Sequence, residues 1–405
     1  MNIGALSGLK VVEYSQFISG SYCAKLLADL GAEAVKVEKP GFGDKARSFG
    51  PFPQDIPDTE RSGLFLYLNT NKLGVTLNVE TATGIKVFKE LVKWADVLVE
   101  NNPPREMKEL GLDYESLHKV NPRLVVTSIT PFGQTGLYRD YKACDLISFH
   151  VSGQAYISPG GGVEDIEQQP PLKGPAHAAD FMAGLSGAVS TMSAVMAQQA
   201  TGLGQHVDLS EQETLASITR HEVGIFNYEG IAYSREKRGK GGGTTVYPCK
   251  DGYVVMSALD DAFWAGLTGM MGNPDWAQRE LCQDRYSRRV NAEFIDLIIA
   301  EWTREHTTEE INQESIARRF PCSPVRTAKE AVNSEQLAAR EFFVEINHKE
   351  TGRLKYPGAP YKLSVTPWRV RRPAPLLGEH NEEVYCQMLG YTRQDLAKMR
   401  GLGVI

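Results

Sequence analysis

Over the first third of the chain, short apolar runs alternate with amphipathic stretches. Residues 9–14 (LKVVEY) predict a strand. Residues 22–30 (YCAKLLADL) predict a helix, with Leu26, Leu27 and Leu30 as its apolar positions and Gly31 placed to end it. Residues 34–37 (AVKV) predict a second strand, residues 85–95 a helix, and residues 97–99 and 124–129 (LVVTSI) two further strands. Strands that alternate with helices predict a parallel sheet covered by helices, an α/β fold.

The pattern then changes. Residues 158–175 are rich in Gly, Pro and Gln and predict a loop. Residues 181–199 predict a long apolar helix, with Phe181, Met182, Leu185, Val189, Met192, Val195 and Met196 at the spacing of a buried face. A charged, glycine-rich stretch covers residues 234–243, and residues 247–256 (YPCKDGYVVM) predict a hairpin. Up to about residue 330 the chain reads as mostly helical. The tail returns to strand-like and loop pieces before a final helix at residues 393–399. There is no internal repeat and no low-complexity tract.

With 405 residues the chain is too long for one ordinary core, so two domains are expected. It is 42% hydrophobic and 23% charged, an ordinary globular balance. No apolar run reaches the roughly 18 residues of a membrane span, and the N-terminal residues lack the pattern of a secretory leader. A cytoplasmic protein without a membrane partner is the expectation. The six cysteines form no CxxC pair and no Cys/His cluster with zinc spacing, which predicts free thiols and no metal. A formal net charge of −6 argues against a nucleic-acid partner, while leaving room for a local basic patch that holds a phosphorylated ligand.

Several segments carry candidate chemistry. Gly41, Gly43 and Ala46 match G-x-G-x-x-A after a strand, but the following residues, RSFGPFP, cannot sustain the helix that a dinucleotide site needs. A turn presenting Lys39, Lys45 and Arg47 to an anion is the better reading. Asp180 stands between a loop and the long apolar helix. It could cap that helix. Equally, the helix N-terminus could keep its carboxylate ionised and nucleophilic. Gly241, Gly242 and Gly243 fit either a flexible linker or a lid whose N–H groups close over a reactive intermediate. Nothing pairs His177 with a nucleophile, and no G-x-S-x-G elbow stands at a strand-to-helix turn.

Many collinear segments resemble the class III CoA-transferases. They include VVEY at 11–14, LLADLGAE at 26–33, VKVEKPG at 35–41, Gly43-Asp44 and Arg47. Others are NTNK at 69–72, VEN at 99–101, NPRL at 121–124, Phe132-Gly133, Ala179-Asp180, TGLGQ at 201–205 and PLLGEH at 375–380. The resemblance runs nearly end to end, and the family includes formyl-CoA, carnitine and benzylsuccinate CoA-transferases as well as alpha-methylacyl-CoA racemases. It implies a Rossmann-like large domain built from both chain ends, 1–205 and 331–405, with a smaller domain and linkers at 206–330. It further implies an interlocked dimer, with each active site between domains of the two subunits. A homodimer is expected, with a heterodimer of paralogues as the alternative.

By the same resemblance, Asp180 falls on the catalytic aspartate. Gln16, Ile18, Lys39, Leu77, Asn101 and Lys142 fall on positions that contact CoA, and Arg47 on a recurrent arginine. Gly241, Gly242 and Gly243 resemble a mobile glycine loop. Glu80 and Glu109 depart from basic family positions, and Arg105 or Lys108 would then serve in place of the second. CoA and acyl-CoA are substrates here, and no permanently bound cofactor is implied.

Transferases and racemases of this family share the aspartate. The racemases resemble Gly-His-Asp where this chain has Ala143-Cys144-Asp145, so Cys144 replaces the second base that racemisation needs. Transfer of CoA is therefore expected over racemisation, and the presence of Asp180 argues against a non-catalytic structural subunit. Phe149, His150, Tyr156, Phe181, Met182, Phe226, Tyr228 and Tyr233 suggest an apolar acyl pocket. That favours succinyl-CoA as donor and an aromatic or branched dicarboxylic acid, such as benzylsuccinate, as acceptor.

Overall fold

The computed structural model describes residues 4–159, 163, 165–236 and 242–405. They divide into two compact units. The first comprises Met1–Ala155, Lys173–Ala232 and Glu341–Ile405, and the second Tyr156–Leu172 and Tyr233–Arg340. Both chain ends thus enter one unit. Residues 206–232, expected in the small domain, belong to the first unit because His206–Ser210 is a strand of its sheet.

The first unit is built on six parallel strands: β1 (Lys10–Tyr14), β2 (Glu33–Glu38), β3 (Lys72–Thr76), β4 (Val97–Glu100), β5 (Val125–Thr130) and β6 (His206–Ser210). Their order is β3-β2-β1-β4-β5-β6, so the winding reverses between β1 and β4. Side chains alternate across the sheet. Val12, Val35, Leu98 and Val126 enter one core, and Val11, Ala34, Val97 and Val125 enter the other. Burial on both faces explains strands that are apolar throughout rather than alternating.

Helix α1 (Ser19–Asp29) follows β1, and α2 (Ala82–Trp94) follows β3. Three further helices matter for the site: α3 (Asp145–Val151), α4 (Ala178–Thr201) and α5 (Glu211–Ala216). The edge strand β3 is covered by the C-terminal segment. His380 Nδ1 accepts the Gly74 N–H at 3.1 Å, and Asn381 Oδ1 accepts the Thr76 N–H at 2.8 Å. Those bonds satisfy groups that an open sheet edge would leave unpaired.

Helix α4 departs from expectation in which face it buries. Leu185, Val189 and Met196 are 52%, 62% and 68% exposed. The buried stripe is Ala183, Gly184, Gly187, Thr191 and Ala194, joined by Val195 from the expected face. Close approach of α1 selects those small residues, since a Cβ at Gly184 would lie 2.6 Å from the Ser19 carbonyl oxygen. Leu185 and Val189 line an open groove of about 640 Å³ with Ser186, Ser190 and Val207.

The second unit holds a three-stranded antiparallel sheet of β7 (Val246–Pro248), β8 (Tyr253–Met256) and β9 (Cys322–Pro324). The expected hairpin is therefore present. Helices Asp261–Met270 and Ala292–Arg304 carry Trp264, Leu267, Ile295 and Ile299 into a core with Tyr247, Val254 and Met256. Among the described residues, no helix is long and apolar enough to cross a membrane.

Candidate active site

At the carboxyl ends of β1 and β4, where the winding reverses, the two following loops are stitched together. Asn101 Oδ1 accepts the Gln16 N–H at 2.8 Å, and Asn101 Nδ2 donates to the Gln16 carbonyl at 2.7 Å. Such a switch point is where open α/β sheets leave a crevice for ligands. The other positions expected to meet CoA follow successive strands: Ile18 after β1, Lys39 after β2, Leu77 after β3 and Lys142 between β5 and α3. Lys108 lies on the helix Pro104–Glu109 after β4.

Their side chains differ in what they offer. Lys108 and Lys142 are exposed. Lys39 is exposed too and pairs with Glu80 at 2.9 Å, so the acid at that departure from the family pattern is neutralised by a neighbouring base. Ile18 and Leu77 are buried in apolar cores and offer a ligand no side chain.

Arg47 corrects the reading of the turn after β2. It is 1% exposed, and its guanidinium takes Glu38 at 2.7 and 2.9 Å and Glu60 at 2.7 Å, stacked over Phe65. The turn therefore presents Lys39 and Lys45 but not Arg47. A single 3-10 turn, Lys45–Ser48, follows the glycines in place of a dinucleotide-binding helix. Beneath it lies a buried charge network, in which Glu13 takes Lys36 at 2.6 Å and Lys72 at 2.7 Å, and Lys36 takes Asp44 at 2.7 Å. Although burial disfavours its charge, Lys36 and Lys72 hold the Glu13 carboxyl down at about 2.

Asp180 sits at the start of the long helix, as expected, but of the two roles open to it the structure excludes the cap. Helix α4 begins at Ala178 rather than Phe181, so Asp180 is in its first turn and does not cap it. Asp145 supplies the cap, its Oδ1 accepting the N–H groups of Ala179 at 2.8 Å and Asp180 at 3.3 Å. Asp145 Oδ2 is held by the Lys173 ammonium. Glu211, on α5, takes the Ser148 hydroxyl at 2.7 Å.

The helix N-terminus does not keep Asp180 an ordinary ionised carboxylate. The group is 7% exposed, and burial, then Glu211, then Asp145, push its carboxyl up to about 8, against the opposing pull of Lys173. Burial first, with Asp145 adding to it, also raises the carboxyl of Glu211. Among the described residues, Asp180 Oδ2 has no hydrogen-bond partner and is buried, and so is His177 Nδ1, 3.6 Å away. Asp145, His177 and Asp180 stand close enough to share a cation. Both Asp145 oxygens are already engaged, one by N–H groups of the helix start and the other by the Lys173 ammonium.

Sequence reasoning assigned no role to Lys173 or Glu211, and it treated Asp145 only as a neighbour of Cys144. They come from segments far apart in the chain, and no local spacing joins them. His150, named with the acyl pocket, is exposed and its ring nitrogen is bound to the Leu146 carbonyl at 2.7 Å. Of the apolar candidates, Phe149 and Met182 pack together against Ala178 and Ala179, whereas Phe181 packs with Tyr22 and Tyr67. Phe226 and Tyr228 are 58% and 92% exposed, and Tyr156 and Tyr233 belong to the second unit.

The expected lid also changes character. Gly241 lies outside the described residues. Gly242 and Gly243 are packed: a Cβ at Gly242 would lie 2.6 Å from the Arg288 carbonyl oxygen. The Gly243 N–H is shared by Tyr247 Oη at 3.1 Å and Asp296 at 3.2 Å. In this structure both glycines are held by these contacts.

A six-stranded parallel α/β sheet with its switch point between β1 and β4 and a buried aspartate at a helix start frame the candidate site. Residues 6–381 match CoA-transferase family III, and the chain belongs to that family. It is 32% identical to the succinyl-CoA–L-malate CoA-transferase beta subunit of Chloroflexus aurantiacus, over 99% of this chain and 98% of the relative. It is also 32% identical to a subunit of the succinyl-CoA:(R)-benzylsuccinate CoA-transferase of Thauera aromatica, over 95% of each. The crystal structure of a CaiB/BaiF family protein from Brucella suis superposes with a TM-score of 0.85 at 25% identity, covering 96% of this chain and 100% of that one. The chain is thus a class III CoA-transferase, and its substrates are CoA thioesters and acids.

Proposed function

We propose that this enzyme moves CoA from succinyl-CoA to an aromatic or branched dicarboxylic acid, such as benzylsuccinate, through covalent intermediates on Asp180. The observation that carries the reading is a buried carboxylate with one oxygen free of hydrogen bonds at the start of a rigid helix. A carboxylate whose proton affinity is raised is also a stronger nucleophile once ionised. Asp180 attacks the thioester carbonyl, the C–S bond breaks, and an aspartyl anhydride and CoA thiolate result. The thiolate then attacks the aspartyl carbonyl, releasing the first acid and leaving an enzyme–CoA thioester. The incoming carboxylate attacks that thioester, and the returning thiolate completes transfer from the second anhydride. Splitting one hard displacement into acyl transfers lowers each barrier.

The donor and acceptor are supported by relatives whose names specify succinyl-CoA with malate, citramalate or benzylsuccinate. Phosphate groups of CoA would meet Lys39, Lys108 and Lys142, while the Gln16–Asn101 stitch would shape the crevice by its backbone. An interlocked dimer is supported by the exposed apolar face of α4, which a second copy, or a paralogue, would cover. Several relatives are named as subunits, which suits either assembly.

Racemisation is disfavoured because Cys144, an exposed free thiol, stands where the racemases place their second base. The reading is tested by incubating the enzyme with succinyl-CoA and a panel of acids and identifying the thioesters by mass spectrometry. Benzylsuccinyl-CoA or a branched analogue is expected to dominate. Formate, oxalate or carnitine turned over far above every such acid would refute the acceptor class.

A further inference from the structure

His177 stands in a conformation that an L-residue avoids. Its φ of 55° follows a φ of 49° at Ala176, two consecutive left-handed residues without a glycine. Something must hold this geometry. From behind, Phe17 meets the imidazole edge-on at 5.1 Å, and Phe17 is itself left-handed with a φ of 66°. Phe17 is fixed in turn by Phe49, at 4.6 Å, and by its N–H bond to Asp44 at 2.9 Å. In front, the ring offers Nδ1 to Asp180 Oδ2 at 3.6 Å, and neither atom has another hydrogen-bond partner.

We propose, building on the covalent reading of Asp180, that His177 is a positioning residue whose imidazole holds the Asp180 carboxyl in one orientation and eases the loss of its proton.

The charges around Asp180 favour its protonated form, so a neighbour that eases ionisation matters there. Asp145 faces it from α3 and Glu211 from α5, both acidic, and Lys173 from the preceding loop is the basic residue that opposes them. Lys173 is already committed to Asp145. Three carboxylates therefore share one ammonium, and Asp180 is the one left without a donor. Below about 8 the proton rests on Asp180 and quenches the nucleophile, and passing it to the neighbouring imidazole frees the carboxylate to attack. No atoms are gained or lost, since the proton moves from carboxyl oxygen to ring nitrogen.

The test follows the Asp180 carboxyl directly, by carbon-13 NMR of full-length protein labelled at the aspartate side-chain carboxyl. Asp180→Asn identifies the resonance. In His177→Asn, which tolerates left-handed backbone, the Asp180 midpoint is expected to rise by about one unit, a tenfold gain in proton affinity. In His177→Lys, with a permanent cation, it is expected to fall below that of the natural protein. The pH profile of adduct formation with succinyl-CoA should move with each midpoint. A merely structural His177 would lower the rate at every pH without moving the profile. Midpoints unchanged in both folded variants would overturn the inference. Its failure is separable from that of the covalent reading: an Asp180 adduct with unmoved midpoints defeats only the role of His177. Full activity in Asp180→Asn defeats the covalent reading.

Discussion

Asp145 caps the helix that carries Asp180, and the N–H it accepts at 3.3 Å is that of Asp180 itself. One carboxylate thus occupies the helix N-terminus and leaves the other unable to use it. The arrangement explains why Asp180 gains little from the helix and stays under the field of its acidic neighbours.

Asp145 is accordingly a stability residue as well as a neighbour of the site. Asp145→Ala removes the cap and should destabilise the first unit by about 1–2 kcal/mol, whereas Asp145→Asn retains an acceptor and should cost less. Urea titration of both variants checks this order. Equal losses would show that the charge pair with Lys173 matters more than the cap.

Removing the nucleophile should abolish transfer. Asp180→Asn is expected to lower the rate from succinyl-CoA by at least about a thousandfold, in line with other nucleophile deletions. Intact-mass measurement with succinyl-CoA should show an adduct on the natural protein and none on the variant. Freshly prepared variant must be used, because deamidation would restore the aspartate.

Asp180 should also make the protein less stable as pH rises. Its carboxyl titrates near 8 when folded and in the ordinary acidic range when unfolded, so between about 4 and 8 the folded state holds the extra proton. Stability then falls with rising pH by at most about 1.4 kcal/mol per unit from this group. Asp180→Asn should remove that slope and be the more stable protein at pH 8, with little difference at pH 4. Thermal melting across that range measures it, and parallel curves would refute it.

The charge network under the sheet edge should be intolerant of partial removal. Glu13→Gln leaves the buried ammonium of Lys72 without its carboxylate partner, a loss of about 3–5 kcal/mol. Denaturant midpoints test it. In the natural protein the contribution of Glu13 is present above its unfolded titration range and lost only as pH falls through about 2.

The exposed face of α4 should decide assembly. Val189→Asp places a charge among Leu185, Val189 and Met196 and should shift sedimentation from dimer toward monomer. An unchanged dimer would put the interface elsewhere.

The sequence alone determined the alternating strands and helices, the two-part organisation and the family, because periodicity and collinear motifs are local and ordered along the chain. It also located Asp180 at the start of a long helix. It could not determine which face of that helix is buried, since close helix packing selects small residues over large ones at Gly184 and Gly187. Nor could it show that Arg47 is spent on Glu38 and Glu60, or that Asp145 takes the cap. Proton affinity depends on burial and on charges a few ångströms away. Asp145, Lys173, His177 and Glu211 are brought to Asp180 from α3, the following loop and α5, and only the tertiary structure decides that meeting.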